Sequence, residues 1–154
     1  MRCWHKDLIP FLPRLQLLGQ WRECCLIAKS IAEKGTPKHI LVNRVLDYPV
    51  QHFIIYTDNV TAEMERRGYK ISFKAVDTFN ANINKTRNKF KLNDITDAVE
   101  GFEGDMFYGW HNDTYLRQCL YNLEEKAICG GIAKEEWKRI YDEFKDFTPL
   151  WCGQ

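Results

Sequence analysis

Residues 13–37 read PRLQLLGQWRECCLIAKSIAEKGTP, and their reading decides the fold. Pro13 stands where a helix tolerates a missing N–H, and Gly35-Thr36-Pro37 is a stop, so the spacing predicts a helix from Arg14 to about Lys34. At about 100° per residue, Leu17, Leu18, Trp21, Cys24, Cys25, Ala28 and Ala32 form a broad apolar band. Arg14, Arg22 and Lys29 form one stripe, and Gln16, Gly19, Gln20, Glu23 and Ser30 lie opposite the band. A solvated face normally mixes lysine and glutamate; this one carries glutamines, a glycine and a single carboxylate. Gly19 gives up roughly 1 kcal/mol of helix propensity relative to alanine and removes bulk one turn before Glu23. Either a ligand or another backbone approaches Glu23 there, or Gly19 admits a neighbouring helix and Glu23 pairs with an arginine such as Arg44 or Arg67.

Working outward, a short helix is expected over Lys38–Leu46, ending near Asp47-Tyr48-Pro49. Residues 50–67, VQHFIIYTDNVTAEMERR, repeat Phe53, Ile54, Val60 and Met64 at helical spacing, with Gly68 where a left-handed cap belongs. Residues 72–110 contain NANINKTRNKFKLND and GFEGD. They read as a long irregular segment with short helical turns near Val76–Phe79 and Ile95–Val99. Connections of that length are uncommon unless functional or mobile. Asn112-Asp113-Thr114 offers N-caps for a helix with Tyr115, Leu116, Leu120, Leu123 and Ala127 inward, closed by Gly130-Gly131. A last helix over Lys134–Asp146 buries Trp137, Ile140, Tyr141 and Phe144, and Phe147, Leu150 and Trp151 pack the tail onto the body. With few strand-like alternations and no repeats, the expected class is all-α: one compact domain over residues 1–154, with four to five helices.

The bulk numbers narrow the class. At 154 residues the chain can bury a core without staples. No window of 18 consecutive apolar residues and no basic-then-apolar leader occur, so neither a membrane span nor a secretory signal is expected, which leaves the cytoplasm, or a cell the protein enters by other means. The six cysteines are then expected reduced, as small buried hydrophobes. There is no CxxC, and His5, His39, His52 and His111 are far apart in sequence, so no zinc site or other metal is expected. Residues 1–91 hold 16 Lys and Arg against 8 Asp and Glu; residues 92–154 hold 6 against 13. That polarity suits a basic face for an anionic partner, or else the two halves interleave and the surface is evenly mixed.

The run LPRLQLLGQWRE at residues 12–23 resembles the first helix of the pyrimidine-dimer DNA glycosylases, the endonuclease V type of phages and their bacterial relatives. His39, EMERRGYK at 63–70 and HNDTYLRQCLYNLEEK at 111–126 keep the same order, so the resemblance spans most of the chain outside 72–105 and the tail. It implies an all-helical enzyme that binds duplex DNA containing damaged bases or abasic sites, everts a nucleotide, cleaves the glycosidic bond and then the strand, with no cofactor. It further implies that an N-terminal amine forms a Schiff base with the sugar C1′ while a first-helix glutamate stabilises the charged sugar and moves protons. Those roles fall on Met1 and Glu23. A monomer is expected.

The chemistry is sound on its own terms. An α-amino group ordinarily titrates near ~7.7–8.0, against ~10.4 for lysine, so a useful fraction is neutral at cellular pH. A carboxylate beside a developing sugar cation supplies electrostatic stabilisation and acid–base capacity. The chain also departs from the family pattern. Arg2 is too large for ordinary Met removal, so Met1 takes the place of a processed threonine and one extra residue separates the amine from Glu23. Gln16 stands where a histidine touches DNA in the phage enzymes, and Leu26 where they carry an arginine. Lys6 is the alternative nucleophile. The phosphate candidates are Arg2, Arg14, Arg22, Lys29 and Lys38; Gln16, Gln20 and His39 are further DNA contacts. Arg66, Arg67 and Lys70 sit at a helix end where the dipole favours cations in any case. Trp4 and Trp21 read as core residues rather than wedges between bases. Two other readings stay open: a non-catalytic nucleic-acid-binding module on the same scaffold, and a protein-interaction domain using residues 72–110.

Overall fold

A computed structural model of the chain describes residues 1–91, 104–147 and 149–153. Five α-helices form among them: α1 (Arg14–Lys34), α2 (Val50–Arg66), α3 (Phe73–Thr86), α4 (Asp113–Ile128) and α5 (Lys134–Phe144). Short 3₁₀ turns cover Lys6–Phe11, Asn43–Asp47 and Arg87–Lys89. The expected all-α class holds, with no strand among the described residues.

Helix α1 ends on Gly35, whose φ of 75° is the left-handed value that only glycine adopts without strain; its N–H donates to the Ile31 carbonyl at 2.8 Å. Gly68, at φ 81°, does the same after α2. The buried arc of α1 is rotated from the expected one. Leu17, Gln20, Trp21, Cys24, Ile27, Ala28 and Ile31 are buried, while Cys25 and Ala32 are only partly covered. Gln20 shares the register of Cys24, Ile27 and Ile31 and therefore faces the core.

Residues 72–86 correct the expected irregular segment. Ser72 caps α3 through its hydroxyl, which accepts from Ala75 N at 3.4 Å, and Phe79 and Ile83 turn inward one turn apart. Phe79 meets Trp21 at 5.9 Å and Phe53 at 5.8 Å between ring centroids, so α3 packs along α1. Val76–Phe79 lies within α3; the turn expected near Ile95–Val99 lies outside the described residues. The helix expected over Lys38–Leu46 shrinks to the 3₁₀ turn Asn43–Asp47, anchored by buried Val42 and Val45.

Helix α4 starts on Asn112, whose side chain accepts from Tyr115 N at 2.9 Å. Helix α5 buries Trp137, Ile140 and Phe144 against α4 and the Lys6–Phe11 turn. Phe147 and Leu150 pack onto the core as expected, whereas Trp151 is exposed and is held through its backbone: its carbonyl accepts from Trp137 Nε1 at 2.8 Å and its N–H donates to Glu124 Oε1. Cys3, Cys24 and Cys119 are buried; Cys129 and Cys152 are exposed, against the expectation that all six would be core residues.

Candidate active site

Residues 1–5 precede the first 3₁₀ turn without regular secondary structure and are tied to three helices at once. Arg2 N donates to Glu23 Oε2 at 2.7 Å, and the Arg2 carbonyl accepts from Gln20 Nε2 at 2.9 Å. The Cys3 carbonyl accepts from the Tyr115 hydroxyl on α4 at 2.5 Å. Trp4 N donates to Gln20 Oε1 at 2.9 Å, and the Trp4 carbonyl accepts from the Tyr56 hydroxyl on α2 at 2.7 Å. Lys6 N completes the series, donating to His111 Nδ1 at 3.0 Å.

This docking brings the Met1 nitrogen to 3.9 Å from Glu23 Oε1, with the two side chains 20% and 31% exposed. The carboxylate is thus held on one oxygen by an amide and faces an amine with the other, while a third of its side chain stays open. Neither Arg44 nor Arg67 reaches it: Arg44 lies 3.9 Å from Asp47, and Arg67 pairs with Glu63 at 2.6 Å. Beside Gly19, one turn before Glu23, an added Cβ would meet nothing within 4 Å, so the glycine does not admit a neighbouring helix.

The surrounding thiols and phenols stay protonated. Burial, with the nearby Cys24 and Glu23, pushes the Cys3 thiol well up; burial likewise takes Cys24 up to about 12 and raises Cys119. Tyr56 and Tyr115 are raised for the same reason and remain hydroxyl donors to the segment. The Lys6 ammonium is engaged by Asp105 and by the Met106 carbonyl, away from Glu23. Among the described residues no group of three His, Cys, Asp or Glu side chains is placed to hold a metal ion.

The other candidate residues divide. Gln20 is 1% exposed and both ends of its amide are spent on the N-terminal segment, so it offers DNA no surface; its register with Cys24, Ile27 and Ile31 was the missed signal. The Arg2 guanidinium turns inward, 5.2 Å over the Trp4 ring and 3.9 Å from Cys119 Sγ. Trp4 and Trp21 are core residues. Arg14, Arg22 and Lys29 are exposed along α1, with Arg14 over the Tyr69 ring and Lys29 3.8 Å from Glu33. Gln16, on the Glu23 flank, has a buried carboxamide oxygen without a hydrogen-bond partner among the described residues. Lys38 is exposed in a left-handed conformation at φ 54°, and His39 accepts from Leu41 N at 3.3 Å within that same turn. Tyr56 and Tyr115 were not singled out for this role, since a tyrosine on an inward face reads as packing.

The family model for pyrimidine dimer DNA glycosylases matches residues 1–77, half of the chain. The chain belongs to this family. The match takes in the docked N-terminal segment, α1 and α2, and ends before the 111–126 block. No curated protein and no solved structure matches the chain. Membership makes this a DNA repair glycosylase at the level of the family, and no helix among the described residues is long and apolar enough to cross a membrane.

Proposed function

We propose that the protein is a glycosylase with abasic-site lyase activity, acting on duplex DNA that carries pyrimidine dimers or related damaged bases. The Met1 amine attacks C1′ as the bond to the base breaks, and the base leaves with a proton. Ring opening gives an iminium, whose C2′ proton is then removed so that the 3′ phosphate departs. Glu23 moves the protons and stabilises the cationic sugar. The observation that carries this reading is the 3.9 Å approach of the Met1 nitrogen to a partly open Glu23 carboxylate. The exposed Arg14, Arg22, Lys29 and Lys38 would meet phosphates, and Gln16 and His39 are offered as further DNA contacts. The reading takes the whole chain, 1–154, as one monomeric catalytic domain.

Borohydride reduction tests it. An adduct between the protein and a duplex containing an abasic site is expected, and mass spectrometry should find the sugar on the Met1 nitrogen. An adduct on Lys6, or none at all, overturns the assignment. One observation favours the second reading, a binding module without catalysis: Glu23 Oε2 already anchors Arg2 N at 2.7 Å, a structural use for the same carboxylate. Salt-sensitive DNA binding with no trapped adduct would select that reading.

A further inference from the structure

Backbone groups at the start of a chain are ordinarily left to water. Here five of the six backbone groups of residues 2–4 are taken by side chains of α1, α2 and α4, and Gln20 alone supplies two of those bonds, accepting from Trp4 N and donating to the Arg2 carbonyl, both at 2.9 Å. A carboxamide presents the same donor and acceptor as a peptide, so this buried glutamine grips the segment as a neighbouring strand would. We propose that Gln20 is a positioning residue for the terminal-amine nucleophile, holding residues 2–4 so that the Met1 nitrogen stands at Glu23. The proposal rests on the lyase reading above. With the chain fixed from Arg2 onward, only the torsions of Met1 remain to be searched before attack on C1′; with Gln20 gone, the Arg2 carbonyl and the Trp4 N–H lose their partner, the segment keeps only its backbone bonds to Glu23, Tyr115 and Tyr56, and the amine samples a larger volume. The cost falls on the rate of imine formation, because Gln20 is buried and meets no DNA.

The experiment compares the wild-type protein with Gln20→Leu, in three measurements on one abasic-site duplex: single-turnover borohydride trapping at saturating duplex, Kd without borohydride, and amide hydrogen exchange of residues 1–6. Gln20→Leu should lose exchange protection in that segment and trap about 10- to 100-fold more slowly, while Kd changes by less than about threefold. Protection lost with an unchanged trapping rate overturns the proposal. So does unchanged protection, and so does a Kd that weakens in step with the rate, which would make Gln20 a binding residue. If wild-type protein forms no adduct, the lyase reading itself has failed; if wild type and Gln20→Leu trap equally, only the positioning role has. Should Gln20→Leu not fold, Tyr115→Phe removes the bond to the Cys3 carbonyl. A loss of about threefold to tenfold in trapping at constant Kd supports the role, and a wild-type rate overturns it.

Discussion

Two corners of the molecule join a glutamate to cationic neighbours, and they are built differently. On α2, Glu63 is 8% exposed and both its oxygens are filled: Arg66 donates through Nε at 2.8 Å and Nη2 at 2.6 Å, and Arg67 through Nε at 2.6 Å. Arg67 also donates to the Leu12 carbonyl at 2.7 Å, which ties α2 to the residues leading into α1. Burial pulls the Glu63 carboxyl up, but the hydrogen bonds and charges of Arg66 and Arg67 outweigh it and hold the group below its usual range. On α1, Glu23 has one amide on one oxygen and a terminal amine 3.9 Å from the other. A carboxylate saturated by guanidinium groups is a joint. A carboxylate given one amide and one amine, with a third of its side chain exposed, is left open to a ligand.

Substitution at the two corners should therefore separate activity from stability. Glu23→Gln keeps an oxygen for Arg2 N and so keeps the fold, but it removes the group to which the proposed lyase mechanism assigns proton transfer. Strand cleavage on an abasic duplex is expected to fall about 10²- to 10⁴-fold with little change in Tm. Glu63→Gln should do the reverse, costing about 1–3 kcal/mol of stability by leaving guanidinium groups underpaired while cleavage per folded molecule is retained. Equal losses of stability at both sites, with cleavage intact in Glu23→Gln, would erase the distinction.

Acid should probe the same contrast through the histidines that hold the two ends of the docked segment's surroundings. Burial, then the Lys6 charge, pulls His52 down to about 4; burial, then the charges of His5, Lys6 and Arg44, pulls His111 to about 2. Each accepts a backbone N–H on Nδ1, His52 from Phe107 and His111 from Lys6, and so must be neutral in the fold. As pH falls below about 6.5 the unfolded chain binds protons that the folded chain refuses, so stability drops by about 1.4 kcal/mol per pH unit for each histidine. The window closes near 4 for His52 and continues lower for His111. Denaturant titrations at pH 7.5, 6 and 5 measure it. A flat profile would show that these rings are not held neutral, and that the segment's last anchor is not the His111 acceptor.

Much of this was legible in the sequence. The boundaries of α1, α2 and α4 follow from Pro13, Gly35, Pro49, Gly68 and Asn112, because proline, left-handed glycine and an asparagine cap act locally. Helix α3 was not legible, because its case rests on Phe79 meeting Trp21 and Phe53, partners distant in sequence. Glu23 could be singled out as a carboxylate on a sparse polar face, but the clamp at Gln20 could not. A rotation of the apolar arc by a fraction of a turn decides whether that glutamine faces solvent or core, and periodicity fixes the arc no better than that. The hydroxyls of Tyr56 and Tyr115 find their partners only once α2 and α4 flank the N-terminal segment.

The smallest effect is expected at Arg22. It is exposed beside Glu23, and no ion pair holds it among the described residues, whereas Lys29 on the same helix lies 3.8 Å from Glu33. A cation already paired must surrender its partner before it can displace counterions from DNA; an unpaired one does so at no such cost. Arg22→Ala should therefore weaken binding uniformly across sequences and lower the slope of log K against log salt by about one unit. Lys29→Ala should lower it by less. Arg66→Ala is the control from the other corner: its guanidinium is committed to Glu63, so its loss should leave the salt slope unchanged. A drop in slope for Arg66→Ala equal to that for Arg22→Ala would mean that the Glu63 corner also faces the duplex, and that its arginines serve the phosphates as much as the joint.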